Sequence, residues 1–203
     1  MKLIYGNPSY ESVELIRNSI LLREWIKNGV FDKLIQYEYP SENVTKQELL
    51  YLLELSNNLD SSRLEKIVRL DRDLFGVMSD FLHSYGITHS KEQVYANIAV
   101  YDPIIDYLKV KFNRPRPFQT AAYYGIPLYP KIKTDASDSS YPSGHTFLSL
   151  CFYDYYSKRY PKLAPDLMNF AVDVKLSREE GGVHYPSDGV FSFKIYQQIK
   201  NLM

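Results

Sequence analysis

Apolar positions recur at helical spacing through most of the chain, and the alternation of a half-buried strand is scarce. After Pro8-Ser9, residues Val13, Ile16, Ile20 and Leu21 mark one apolar face, and Gly29 is placed to end that helix. Thr45-Lys46-Gln47-Glu48 reads as a capping box in front of the leucine-rich run Leu49 to Leu55. Ser62-Arg63-Leu64-Glu65 repeats the signature ahead of one long helix, striped by Leu64, Ile67, Val68, Leu74, Phe75, Met78 and Leu82 and stopped by Gly86. Ser90-Lys91-Glu92-Gln93 is a third box. It opens a segment through Ile98 that Pro103 must bend or interrupt, after which Ile104, Ile105 and Leu108 continue toward Lys109.

From Asn113 to Tyr141 the periodicity vanishes among Pro115, Pro117, Gly125, Pro127 and Pro130 and the polar run Asp135 to Ser140. A connection that long inside a compact domain is usually functional. Helical spacing resumes at His145 with Phe147, Leu148, Cys151, Phe152 and Tyr155, and ends near Pro161. Pro165-Asp166 starts another helix, with Leu167, Phe170, Val174 and Leu176, that carries Ser177-Arg178 in its last turn before Gly181-Gly182 breaks it. Ser187 reads as the N-cap of a terminal helix from Asp188 to about Lys200. No repeat, linker or low-complexity tract interrupts the pattern. The expectation is one all-α domain over 1–203, a helical bundle in which 1–90 are scaffold helices and 91–203 hold the chemistry.

At 203 residues the chain is long enough for a proper core, and 45% hydrophobic with 24% charged residues argues against disorder. Its 24 basic and 24 acidic residues cancel, so no long-range field favours a nucleic acid polymer or an anionic membrane, and anion binding must come from a local cluster. The one cysteine, Cys151, allows no intramolecular disulfide and has the neighbours of a buried thiol. No apolar run approaches the roughly 18 residues of a transmembrane helix, and the N-terminus lacks a signal-peptide core, so the expected location is cytoplasmic. Nineteen tyrosines suit helix interfaces with hydroxyls at the rim, and exposed Tyr-rich faces would permit a homodimer.

Chemistry concentrates in three short stretches. Lys109 offers a compact charge, and Arg116 and Arg178 offer planar forks of donors for phosphate oxygens. Lys111 and Arg114 lie close enough to substitute in a looser reading. Pro142-Ser143-Gly144-His145 places Ser143 and Gly144 at a helix start, where backbone N–H groups favour an anion. His184 and Asp188 stand four apart around a turn. A carboxylate on one imidazole nitrogen fixes the tautomer and leaves the other nitrogen free to attack. Of the four histidines, His83 and His89 fall outside these stretches and read as surface residues. The histidine spacings match no metal-binding pattern, so no metal site is expected.

The spacings Lys-x6-Arg-Pro, Pro-Ser-Gly-His and Ser-Arg-x5-His-x3-Asp together resemble the signature of the type 2 phosphatidic acid phosphatase superfamily. That group includes class A bacterial acid phosphatases, membrane lipid phosphatases and vanadium-dependent haloperoxidases. The resemblance implies a metal-free, cofactor-free phosphatase acting on a small phosphorylated substrate. His184 would be the nucleophile, forming a phosphohistidine, with Asp188 orienting it. His145 would protonate the leaving group and then activate water. Lys109, Arg116, Ser143, Gly144 and Arg178 would hold the phosphate oxygens. The length and Arg114-Pro115-Arg116-Pro117-Phe118 are similar to the acid phosphatases, hence to phosphomonoester hydrolases, although those are typically exported. Gly182-Val183-His184-Tyr185-Pro186-Ser187-Asp188 is similar to the lipid phosphatase branch. The rival classes are a lipid or pyrophosphate phosphatase, a vanadium haloperoxidase and a non-catalytic phosphate-binding module.

Overall fold

The computed structural model describes residues 10–36, 39–133 and 138–202. The Met1–Pro8 segment and the start of the polar run at Asp135 lie outside them. The helices are α1 (Tyr10–Asn18), α2 (Ile20–Lys27), α3 (Asp32–Ile35), α4 (Glu42–Asn57), α5 (Ser61–Arg72), α6 (Leu74–Ser84), α7 (Lys91–Ile98), α8 (Asp102–Phe112), α9 (Pro117–Tyr123), α10 (Gly144–Arg159), α11 (Ala164–Glu180) and α12 (Pro186–Ile199). No strand occurs among the described residues. The fold is all-α, as the periodicity predicts.

Helix α10 lies at the centre. It buries residues around its whole circumference, including Phe147, Leu150, Cys151, Phe152 and Tyr156, as expected of a helix enclosed by neighbours. Phe152 meets Phe81 of α6 at 6.1 Å and Phe170 of α11 at 5.5 Å between ring centroids, while Phe81 and Phe170 are 5.1 Å apart. A second aromatic group locks the site-bearing elements together. Tyr141 stacks on Phe191 of α12 at 4.3 Å, and Phe112 at the end of α8 stands edge-on to both. The main core runs from Leu22 to Ile199, so helices from the first 90 residues pack into it directly.

Several helix boundaries depart from the sequence reading, and polar caps account for those at Ser19, Asp60 and Asp73. The first apolar face belongs to two helices, because the Ser19 hydroxyl accepts from Leu22 N and starts α2 afresh. The buried residues there are Leu22 and Trp25, while Ile20 is exposed. No box forms at Thr45–Glu48, since α4 begins at Glu42 and both residues lie inside it. Asp60, not Ser62, caps α5, accepting from Arg63 N at 2.7 Å. The long helix predicted beyond it divides at Asp73, whose carboxylate caps α6 through Gly76 N. The box at Ser90 does form, with Ser90 Oγ and Gln93 Oε1 each accepting from the other's backbone N–H. Pro103 then opens α8 behind a 3-10 turn, Ala99–Tyr101.

The aperiodic stretch contains α9, a seven-residue helix opened by Pro117 and followed by Gly125 at φ 66°. Seven residues between prolines are too few to display a helical period. Helix α12 begins at Pro186, two residues before the Asp188 start read from the sequence, with Tyr185 rather than Ser187 as N-cap. His89 is not a free surface residue, because its Nδ1 lies 2.8 Å from the hydroxyl of buried Tyr156. Cys151 is buried, as expected.

Phe152 joins three helices through its ring, so Phe152→Ala should cost about 3–5 kcal/mol of unfolding free energy. Urea denaturation monitored by circular dichroism checks this, and a loss below about 1 kcal/mol would contradict the packing described.

Candidate active site

Four helix ends deliver the predicted site residues to one place. Lys109 occupies the last turn of α8. Asn113 ends that helix in the left-handed conformation, at φ 49°, and the chain then runs extended through Arg116 into Pro117. Ser143 is the N-cap of α10, placing Gly144 and His145 in its first turn. Arg178 lies in the last turn of α11. Beyond it Gly182, at φ 72°, reverses the chain against the Tyr129–Pro130 backbone, which a Cβ there would meet at 3.5 Å. The amides of Val183 and His184 both donate to the Arg178 carbonyl at 3.2 Å, folding His184 back over the end of α11. Asp188 then falls in the first turn of α12.

The hydrogen bonds of His184 fix its tautomer. Arg116 Nη1 is 2.8 Å from Nε2, and a guanidinium can only donate, so Nε2 is the acceptor. Nδ1 therefore carries the proton and donates to Asp188 Oδ2 at 3.1 Å. The lone pair on Nε2 faces Arg116, toward the cationic side of the site. Asp188 is wholly buried and also accepts from the Tyr185 amide at 2.9 Å and Arg114 Nη1 at 2.7 Å. Burial still pushes its carboxyl up to about 7, against the pull of Arg114.

Lys109, Arg116 and Arg178 converge around the two imidazoles. Burial and these cations hold the His184 and His145 pKa values well below the usual range, so both rings are neutral in the free protein. Arg178 Nη2 pairs with Asp71 at 2.8 Å, while its Nε and Nη1 are buried with no partner among the described residues. The Asp71 backbone partly opposes the depression of the His145 pKa. Asp71, at the end of α5, steadies Arg178 directly. A cavity of about 250 Å³ opens beside His145, lined by Asp102, Ile105, Asp106, Lys109 and Leu148 among others. Burial raises both acids there, Asp102 to about 7.

All eight predicted site residues lie in this region, but not all stand free to meet a ligand. Ser143 is wholly buried, and its Oγ accepts from Thr146 Oγ1 at 2.9 Å and, weakly, from Thr146 N. Gly144 borders the cavity, and a Cβ there would lie 3.9 Å from Lys109 Nζ. Of the two looser basic candidates, Lys111 lies outside the site over the Tyr107 ring. Arg114 lies behind it, 1% exposed and stacked 3.6 Å over Tyr185. It donates to Glu48 at 2.9 Å and to Ser187 Oγ as well as to Asp188. Glu48 also accepts from the Ser187 amide and hydroxyl.

Sequence reasoning missed Glu48, Asp71 and Asp138, which pairs with both Lys109 and Arg116. Glu48 had been absorbed into an expected capping box, and nothing in the spacing marked Asp71. Among the described residues no group of three or more His, Cys, Asp or Glu could hold a metal ion.

A search of curated protein sequences returned no match. Among solved structures, the chain is similar to a transmembrane PAP2-type phosphatidylglycerolphosphate phosphatase from Bacillus subtilis. The TM-score is 0.56 at 18% identity, and the match covers 96% of this chain and 94% of that one. That likeness is one of fold. In this chain, among the described residues, no helix is long and apolar enough to cross a membrane. The family model of the PAP2 superfamily matches residues 94–195, half of the sequence, and all three motifs fall within that span. On that match the chain belongs to the PAP2 superfamily.

Proposed function

We propose that the chain is a metal-independent phosphatase that hydrolyses phosphomonoesters through a phosphohistidine on His184. The observation that carries this reading is the tautomer of His184. Its nucleophilic lone pair looks toward three cations, and its proton is held by Asp188. In the first step Nε2 forms a bond to phosphorus as the ester P–O bond breaks, and His145 delivers its proton to the departing oxygen. In the second, water attacks phosphorus, His145 takes its proton and the P–N bond breaks. Arg116, Lys109 and the unpartnered donors of Arg178 balance charge on the equatorial oxygens, where it concentrates in the transition state. Neutral His145 must gain a proton before the first step. Burial and the cations hold its pKa down, and an arriving phosphate dianion offsets the cations' share.

The cavity beside His145 lies where the leaving alcohol would depart. Its small volume and its two acids suit a compact, polar alcohol or amine-bearing group. A second reading, a lipid headgroup phosphate, draws support from the Bacillus subtilis structure, whose title describes a phosphatidylglycerolphosphate phosphatase. Turnover of glycerol phosphate against detergent-dispersed phosphatidylglycerolphosphate separates the two. A kcat/KM higher for the lipid would overturn the small-ester reading.

Three outcomes follow from this reading. Hydrolysis of p-nitrophenyl phosphate should persist undiminished in EDTA, and activity that vanished on chelation and returned with a divalent ion would contradict the mechanism. His184→Ala should form no phosphoenzyme with any ester. His145→Ala should still be phosphorylated by dinitrophenyl phosphate, yet lose about 10²–10⁴-fold on an alkyl phosphate that needs a general acid. Rapid-quench labelling with the two esters measures both, and the opposite pattern would reverse the roles. Finally, pH profiles should be bell-shaped, with the basic limb of kcat at higher pH than that of kcat/KM. The bound dianion raises the pKa of His145 in the complex, whereas kcat/KM reports the free enzyme. Coincident limbs would count against this electrostatic coupling.

A further inference from the structure

The Asp138 carboxylate occupies the anion position of the site. One of its oxygens pairs with Lys109 Nζ and the other with Arg116 Nη2. Those are the cations the motif spacing assigns to phosphate, and two oxygens of one carboxylate bridge them much as two oxygens of a phosphate would. The third cation is untouched by it. Arg178 is 4% exposed, and its Nε and Nη1 find no partner among the described residues. The site is thus two-thirds satisfied by the chain itself, with unpaired donors remaining at one corner.

The backbone just after Asp138 is pinned, and among the described residues the Asp138 side chain is held only by the two cations. Ser139 Oγ donates to the Lys109 carbonyl at 2.8 Å, Ser140 N to the Arg114 carbonyl at 2.8 Å, and Ser140 Oγ to the Pro115 carbonyl at 3.1 Å. Arg116 Nε separately donates to the Asp138 carbonyl oxygen at 3.1 Å. That contact keeps the guanidinium in place whether or not the carboxylate holds it. The Asp138 side chain is 31% exposed, against 10% for Lys109 and 5% for Arg116, so it stands on the solvent side of both cations.

We propose that Asp138 is a tethered competitor of phosphate, holding Lys109 and Arg116 in the substrate-free enzyme, yielding them to the substrate and reclaiming them as product phosphate leaves. The inference rests on the phosphatase reading above and adds to it a residue that sets affinity and drives product release. A dianion wins the exchange because it also engages Arg178, which Asp138 does not pair with. The apparent affinity for phosphate is reduced to the fraction of time that the carboxylate leaves the site free. A purely structural ion pair has the opposite signature. If Asp138 merely positioned the two cations, removing its charge would let them separate and would weaken phosphate binding.

The test is titration calorimetry of inorganic phosphate into the wild-type protein, Asp138→Asn and Asp138→Ser, together with KM for p-nitrophenyl phosphate. Both variants should bind phosphate about tenfold more tightly, with KM lowered to match, for a carboxylate in place about nine-tenths of the time. Phosphate should also raise the melting temperature of the variants more than that of the wild type. Asp138 lies at the solvent edge and contributes nothing to the core, and the two variants check each other for folding. Unchanged or weaker phosphate binding in a folded variant, with wild-type turnover intact, would overturn the role of Asp138 alone. Tighter binding in the variants with no ester hydrolysed by any form would leave Asp138 standing and remove the phosphatase reading. Failure of every form to bind phosphate would overturn both.

Discussion

A carboxylate with no exposure to water sits at the base of the site, and the guanidinium of Arg114 at 2.7 Å makes that placement tolerable. An isolated charge there would carry a desolvation penalty of several kcal/mol. Arg114 is as deeply buried and carries its own penalty, shared among Asp188, Glu48 and the ring of Tyr185. Breaking one member would strand the others, a loss on the order of 3–5 kcal/mol for a buried pair. The arrangement ties α4, the chain after α8 and the start of α12 into one rigid unit. His184 hangs from it by a single hydrogen bond to Asp188. The direction in which the imidazole points therefore depends on this buried salt bridge as well as on Arg116.

The other face of the site works by excess rather than balance. Burial, with three cations close by, keeps both rings neutral, which suits a nucleophile and handicaps an acid. In the proposed reaction the substrate removes the handicap by bringing its own negative charge. The catalytic proton thus becomes available only with a phosphate in place. The unpaired donors of Arg178 and the carboxylate on Lys109 and Arg116 are two consequences of the same surplus. A site built for a dianion must leave donors unsatisfied when empty, or satisfy them from its own chain.

The all-α fold and the helices around the motifs were legible because periodicity survives over eleven or more residues in α8, α10 and α11. Their boundaries were less legible wherever a polar side chain interrupted an apolar stripe, as Ser19 and Asp73 do by capping the next helix. Helix α9 was invisible for want of length. The candidate residues from Lys109 to Asp188 were legible because their types and spacings resemble the three motifs of the superfamily. Glu48, Asp71 and Asp138 were not read as parts of the site, and Arg114 was read only as a looser alternative to the motif cations. Each acts through space, and Glu48 is 139 residues from the Ser187 amide it accepts from. Local sequence carries no trace of such a pairing. Arg114 shows the limit best. It lies two residues from a motif arginine and has the same side chain, and burial against Tyr185 and Asp188 keeps it behind the site.

In the proposed mechanism Asp188 holds Nδ1 of His184 and leaves Nε2 to attack phosphorus. Quenching the enzyme in alkali during turnover preserves a phosphohistidine. Phosphorus NMR of the denatured protein then distinguishes the two ring isomers, and peptide mass spectrometry locates the residue. The account predicts phosphate on Nε2 of His184. Phosphate on Nδ1, or on His145, would contradict it.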